Sequence, residues 1–383
     1  MTVKASRWVR IYPFPVGFGI DEIRGIWYNI FCMNIESAFG KTAVVRSKQA
    51  FTKRGNSLMS QNAIPSVSTI KPRPEHPVLK QMLHEIGKAV NGKDEVIYKI
   101  LLVILAGGHI LLEDMPGVGK TTLALALSKT LSLSCKRIQF TPDVLPTDVV
   151  GFNMYHKDSD SFSFRKGAAF CNLLLADEIN RTSSKTQSAL LELMEEGAVT
   201  VDGVTHPLPK PNIVIATQNP ITCVGTQRLP ESQLDRFMVR LSLGYPDPGS
   251  EVALLKARQN GNPLDKVVPV TGTDMLMQMR SEVEDVFVSD TLYQYIVHLT
   301  NATRQHGNIR LGVSPRGSLA LMQLAKASAY AQGRDYLLPD DIHYVCGDVF
   351  GHRILLHGTA GSAQETKAVV QEILSTVPLP WTD

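Results

Sequence analysis

Lys120 follows two glycines, Gly117 and Gly119, and precedes two hydroxyl residues, Thr121 and Thr122, just beyond the apolar pair Leu111-Leu112. Residues of these types at this spacing bind phosphate. Glycine admits the backbone that points successive N–H groups at one anion, and a helix starting here aims its positive end at the same point. A lysine in the first helical turn opposes the helix dipole unless an anion sits there. On this reading Met115, Pro116, Gly117, Val118, Gly119, Lys120, Thr121 and Thr122 cradle a nucleotide's phosphates. Lys120 reaches the β- and γ-phosphates, and the Thr121 hydroxyl reaches a magnesium ion. One residue departs from the general pattern G-x-x-x-x-G-K-[ST]: Asp114 stands where the first glycine is expected.

Two carboxylates, Asp177 and Glu178, end the apolar run Leu173-Leu174-Leu175-Ala176. Adjacent carboxylates repel unless positive charge lies nearby, which magnesium supplies. Asp177 is then a metal ligand, directly or through water. Glu178 is the group that polarises the water attacking the γ-phosphate, and a plain solvated strand end is the competing reading. Asn219 follows the apolar Ile213–Gln218, and its amide is placed to orient that water. Gln218 is the neighbouring choice, and an ordinary Asn-Pro turn the alternative. Arg236, in Leu234-Asp235-Arg236-Phe237, is either a surface arginine paired with Asp235 or a donor to a neighbouring subunit's γ-phosphate. Arg316 follows Ser314, which reads as a helix N-cap, and Pro315, which reads as the first helical residue. It therefore faces the positive end of its own helix, a placement that an anion explains.

Positioning these residues takes strands that alternate with helices, and hence a mostly parallel sheet. Helical spacing runs from Pro77 to Ala106, broken at Asn91-Gly92, and again from the loop to about Leu131. Strand patterns cover His109–Leu112, Arg137–Phe140, Cys171–Ala176, Asn212–Thr217 and Phe237–Leu243. Two hairpins interrupt them, Phe152–Gly167 and Ala198–Leu208, the second turning at Asp202-Gly203. A helix from Ser184 to Glu196 has Gly197 as its cap. Beyond Tyr245-Pro246-Asp247-Pro248-Gly249 helical patterns dominate. The expected fold is a phosphate-loop α/β core with a mostly parallel five-stranded sheet, followed by a smaller all-α lid. The expected domains are residues 1–76 as an extension, 77–248 as the nucleotide core with two inserted hairpins, and 249–383 as the lid.

The formal net charge of +3 over 383 residues excludes a generally basic nucleic-acid binder. The charge is uneven, because residues 1–58 hold nine basic residues against three acidic ones. That stretch reads either as a weakly ordered extension or as a translation-start artefact, with Met59 opening a more conventional polar leader. Five scattered cysteines without C-x-x-C spacing fit a reduced, cytoplasmic compartment. No apolar run approaches a membrane span. Pro13, Pro15, Asp21 and Glu22 interrupt any secretory core.

Four motifs in order resemble the MoxR family of AAA+ ATPases. They are Leu111–Thr121, Leu174–Thr182 (Leu-Leu-Ala-Asp-Glu-Ile-Asn-Arg-Thr), Ile215–Pro220 (Ile-Ala-Thr-Gln-Asn-Pro) and Leu229–Phe237 (Leu-Pro-Glu-Ser-Gln-Leu-Asp-Arg-Phe). The resemblance covers roughly residues 77–355, and in that family Asp commonly replaces the first glycine of the loop. It implies Walker A at Lys120 and Thr121, Walker B at Asp177 and Glu178, sensor 1 at Asn219, an arginine finger at Arg236 and sensor 2 at Arg316. It also implies ATP and Mg²⁺ as cofactors, a helical lid and a ring, usually hexameric, with chaperone-like activity. A partner carrying a von Willebrand factor A domain and a protein client complete the expectation. Gly167-Ala168-Ala169-Phe170 and Gln227-Arg228 depart from the family's usual Gly-Pro-Ile-Phe and Tyr-Pro. Two alternatives share the parts. A nucleic-acid-translocating motor would want basic residues at the second hairpin's tip, where this chain has Asp202-Gly203. A metal-chelatase motor subunit would differ mainly in its partners.

Overall fold

The computed structural model describes residues 74–219, 229–259, 261–358 and 363–380, all within one unit spanning 70–383. The readings made for residues 1–58, the whole extension short of residue 74, and Gln227-Arg228 lie outside the described residues. The described chain opens with helices α1 (Pro77–Gly87) and α2 (Asp94–Leu105), then strand β1 (Ile110–Glu113), α3 (Lys120–Thr130) and β2 (Cys135–Gln139). A short α4 (Pro146–Val150) leads into the hairpin β3 (Gly151–His156) and β4 (Ser161–Lys166), then β5 (Leu173–Asp177) and α5 (Ser184–Glu196). The hairpin β6 (Ala198–Val201) and β7 (Val204–Pro207), β8 (Ile213–Gln218), α6 (Glu231–Leu234) and β9 (Val239–Leu241) follow. Beyond them come α7 (Pro248–Gln259), α8 (Thr273–Glu284), α9 (Asp290–Gln305), β10 (Ile309–Leu311), α10 (Pro315–Ala331), α11 (Pro339–Phe350), β11 (Leu355–Leu356) and α12 (Ala363–Thr376).

The central sheet has the order β2-β5-β8-β1-β9, and every neighbouring pair is parallel. All five carboxyl ends therefore share one edge. Strand side chains alternate between faces, and here both faces are covered. Ile110, Leu112, Leu173, Leu175, Ile213 and Ile215 pack with α1, α2, α3 and the later helices. Leu111, Leu174, Ala176, Val214 and Ala216 pack on the opposite side with Leu190, Leu191 and Met194 of α5. Runs such as Leu173–Asp177, buried at every position, are what a sheet covered on both sides requires.

The last strand is shorter than its sequence pattern, Val239–Leu241 rather than Phe237–Leu243. Its missing ends are bonded elsewhere. The Phe237 and Met238 carbonyls accept from the Arg353 guanidinium, and Phe237 also faces His352 Nε2 at 3.0 Å. The Leu243 amide donates to Asp114. The helical part after β9 also holds a small antiparallel ladder, β10 with β11, whose strands are too short to show a period in sequence. The two hairpins touch: Asn153 Nδ2 donates to Asp202 Oδ2 at 2.7 Å, and Phe164 stacks on His206 at 3.8 Å between ring centres. Among the described residues no helix is long and apolar enough to cross a membrane.

Two buried imidazoles pin the sheet's amino-terminal side. His109 Nδ1 accepts from the Val214 amide at 3.0 Å, which leaves Nε2 as the donor to the Met194 carbonyl at 2.9 Å. Burial pushes its pKa down to about 4, and burial with the Arg353 and Arg240 charges holds that of His352 well below its ordinary value too. The unfolded chain takes up these protons near pH 6.5 and the folded chain does not, so stability is full above that pH and falls as the pH drops. His109 alone accounts for about 3 kcal/mol between pH 6.5 and 4. Thermal midpoints should already decline between pH 6.5 and 5, before ordinary carboxylates titrate. A flat profile over that window would contradict the assignment.

Candidate active site

The loop from β1 to α3 leaves the sheet at its carboxyl edge. Gly117 and Gly119 take φ of 88° and 98°, and open space surrounds the position of an added Cβ at each. Conformation rather than room demands glycine there. No side chain caps α3, and its first turn has no acidic residue, so its first amides are available to an anion. Lys120 is buried, with Nζ donating to the Asp114 carbonyl at 2.9 Å.

Asp114 accounts for its own departure from the pattern. Its buried carboxylate accepts from the Ser242 hydroxyl at 2.7 Å, the Leu243 amide at 2.7 Å and the Gly244 amide at 2.9 Å. The residue thus ties the start of the loop to the segment that leaves β9 for the helices beyond. Asp114→Gly, which restores the general pattern, orphans both amides and should cost about 2 kcal/mol or more of unfolding free energy. Urea denaturation checks this; an unchanged midpoint would refute the clamp.

β8 lies between β1 and β5, so the loop and the two carboxylates flank one strand end. Asp177 Oδ1 accepts from the Thr217 hydroxyl at 2.6 Å, and Oδ2 is 2.7 Å from Arg137 Nη2. Glu178 takes the left-handed conformation, φ 57°, which is strained for a residue with a Cβ. Its amide donates to the same Thr217 oxygen at 2.9 Å, and its carboxylate pairs with Arg181 at 2.8 Å. The positive charge required beside two adjacent carboxylates is thus present in the chain itself. Gln218 turns away, donating to Glu113 at 2.9 Å. Asn219 follows β8 at the same edge, and its carbonyl accepts from Asn180. The loop residues, Asp177, Glu178 and Asn219 therefore share one edge of the sheet.

Arg236 and Arg316 form a second group, away from that edge. Arg236 precedes Val239, whose register partner is Ile110 at the amino end of β1, whereas the loop follows Glu113 at the other end. The strand alone separates them by about 10 Å. Arg236 Nη1 donates to the Leu191 carbonyl at 2.9 Å and pairs with Glu195 Oε2 at 3.0 Å, near the far end of α5. Arg316 pairs with the other oxygen of Glu195. The anion at the start of α10 is thus a carboxylate of the same chain, and two guanidiniums share it. A cleft of about 370 Å³ opens beside them, lined by Glu192, Glu195, Ser232, Gln233 and Arg236 among others.

Asp235 does not pair with Arg236. Its carboxylate accepts from Arg353 Nε at 2.8 Å and from the Ser314 hydroxyl at 2.8 Å. Ser314 caps α10 through the Gly317 amide, with Pro315 in the first turn. Arg353, buried just after α11, also bonds the carbonyls of Asp235, Phe237, Met238 and Val349. Burial lowers its pKa, and Asp235 opposes that shift. This knot fixes the segment carrying Arg236 against the start of α10. Sequence reasoning missed Thr217, Arg137, Arg181, Glu195 and Arg353. Only Arg181 offered a local signal, three residues beyond Glu178.

A parallel sheet with a phosphate loop and paired carboxylates at its carboxyl edge, followed by a helical lid, defines an AAA-type ATPase. Residues 109–239 match the profile of the ATPase family associated with various cellular activities, and residues 301–374 match the AAA lid domain. The chain is 46% identical over 306 residues to the uncharacterized protein YeaC of Bacillus subtilis, covering 80% of this chain and 96% of that one. It is 36% identical to the chaperone MoxR1 of Mycobacterium tuberculosis, over 79% and 82% of the two chains. The crystal structure of a Cytophaga hutchinsonii protein superposes with a TM-score of 0.72 at 39% identity, covering 79% of this chain and 94% of that one. The chain belongs to the MoxR family of AAA+ ATPases.

Proposed function

We propose that the protein hydrolyses ATP with magnesium at sites shared between copies in a ring, and couples the reaction to chaperone-like remodelling of a protein client. The observation carrying this reading is the division of the residues into two groups. The loop, Asp177, Glu178 and Asn219 occupy one edge, whereas Arg236, set back from it by about 10 Å along the strands, meets Arg316 on Glu195. An arginine that cannot meet its own chain's phosphates can meet a neighbour's. Two guanidiniums share the Glu195 carboxylate there, so one of them can turn to a γ-phosphate while Glu195 keeps a partner.

Residues Met115 to Thr122 hold the phosphates through backbone amides and Lys120, which must exchange the Asp114 carbonyl for a phosphate oxygen. The Thr121 hydroxyl and Asp177 carboxylate are hard oxygen donors, which suit a magnesium ion that otherwise keeps water and phosphate oxygens. Bound magnesium supplies charge neutralisation on the β- and γ-phosphates. Glu178 accepts a proton from the attacking water once it leaves Arg181, and Asn219 orients that water. The same reading keeps a boundary near residues 248–249 between nucleotide core and lid, which the end of the last sheet strand at Leu241 supports, and takes residues 1–76 as an extension. A hexameric ring, a von Willebrand factor A partner and a cytoplasmic setting belong to the same proposal and draw on the family.

Purified protein given ATP should release phosphate only with magnesium, and should assemble into rings visible by native mass measurement. Duplex DNA should not stimulate it, because the hairpin tip presents Asp202, already bonded to Asn153, and no cation. Phosphate release independent of magnesium, or seen only with DNA, would overturn the reading.

A further inference from the structure

Arg137 has no part in the scheme above, yet it forms an ion pair with the carboxylate assigned to the metal. Its Nη2 lies 2.7 Å from Asp177 Oδ2 and donates to Gln139 Oε1 at 2.8 Å. Arg137 and Gln139 sit two residues apart on β2, the edge strand, so they share one side of it. Gln139 is the register partner of Asp177. The Asp177 side chain is 11% exposed and carries Glu178 as its neighbour, while that of Arg137 is 49% exposed.

We infer that Arg137 is a placeholder cation: it neutralises Asp177 while no nucleotide is bound and must give way when magnesium arrives. The inference rests on the ATPase reading. A carboxylate this buried, next to a second one, is costly without positive charge, and the Thr217 hydroxyl on Oδ1 supplies a hydrogen bond but no charge. A guanidinium and a dication on one carboxylate repel each other. Being half-exposed, Arg137 can release Asp177 and turn into water, whereas Asp177 is held in place by Thr217 and the strand. Glu178 has its own counter-charge in Arg181, so the two carboxylates are neutralised separately. Arg137 thereby sets how much magnesium the site needs, a positioning role outside the reaction itself.

The test compares ATP affinity by calorimetry in magnesium and in EDTA for the wild type, Arg137→Gln, Arg137→Met and Arg137→Lys. The factor by which magnesium tightens ATP binding should be about threefold to tenfold larger in Arg137→Gln and Arg137→Met than in the wild type. Arg137→Lys should stay near the wild type. Without nucleotide or metal, the two neutral variants should melt about 1–3 °C lower, because Asp177 has lost its partner. An unchanged magnesium factor would make Arg137 a spectator, and a smaller one would make it a support for the metal; either overturns the inference. Wild-type protein that binds no ATP overturns this inference together with the ATPase reading. Normal binding with an unchanged factor overturns this inference alone.

Discussion

Glu178→Gln binds ATP with an affinity close to that of the wild type and releases phosphate about a thousandfold more slowly. The size follows from the group removed: a positioned general base contributes between about a hundredfold and ten-thousandfold. The amide keeps the shape and can still bond Arg181, but it cannot take the proton from water. The backbone at Glu178 is set by its amide bond to Thr217 and by the strand before it, neither of which the substitution touches. The pair with Arg181 is partly exposed, so its loss changes stability by about 1 kcal/mol at most, and the lost turnover cannot be ascribed to unfolding. Single-turnover phosphate release beside calorimetric ATP binding separates the two quantities. Near-normal release would remove Glu178 from the chemistry. Equal loss of binding would place it in the nucleotide's cradle instead.

Arg236→Ala should abolish turnover to a similar or greater extent while leaving ATP binding by the isolated subunit almost unchanged. Arginines that complete a phosphoryl-transfer site from a neighbour are worth about a thousandfold or more in rate. The near-absence of a binding effect is the specific part. Arg236 is fastened to Leu191 and Glu195 of α5, and Glu195 lies about 17 Å along that helix from its first residue, Ser184, which Glu178 precedes in the chain. Arg316→Ala should behave alike, since both guanidiniums rest on Glu195. A tenfold or larger loss of ATP affinity in monomeric Arg236→Ala would show that the arginine serves its own site.

The loop was legible because its constraints are local: two glycines with positive φ, a lysine and a hydroxyl at fixed offsets all act within one turn. The central strands of the parallel sheet were legible too, because strands buried on both faces read as unbroken apolar runs, while the edge strand β2 showed only as a short alternating stretch. What lay hidden were partners far apart in sequence. The three donors to Asp114 are about 130 residues away, so the residue read as a flaw in the pattern although it is a clamp. For Arg316 the helix-end argument demanded an anion and found one, but its identity as Glu195 came only from the fold. The adjacency of Asp235 and Arg236 misled, because Arg353, more than a hundred residues on, claims the aspartate. Thr217 looked like an ordinary β-branched strand residue; its hydroxyl matters because the register puts it beside Asp177.

The central claim is that one ATP site takes its loop and carboxylates from one copy and its arginines from the next. Mixing Glu178→Gln with Arg236→Ala tests this most directly. Each variant alone is inactive. In a mixed ring, wherever an Arg236→Ala subunit's intact Glu178 meets the intact Arg236 of a Glu178→Gln subunit, a complete site is restored. The mixture should therefore hydrolyse ATP well above either parent, with the largest rate near equal proportions. Mixtures that exchange subunits and stay as inactive as their parents at every ratio would contradict the shared site.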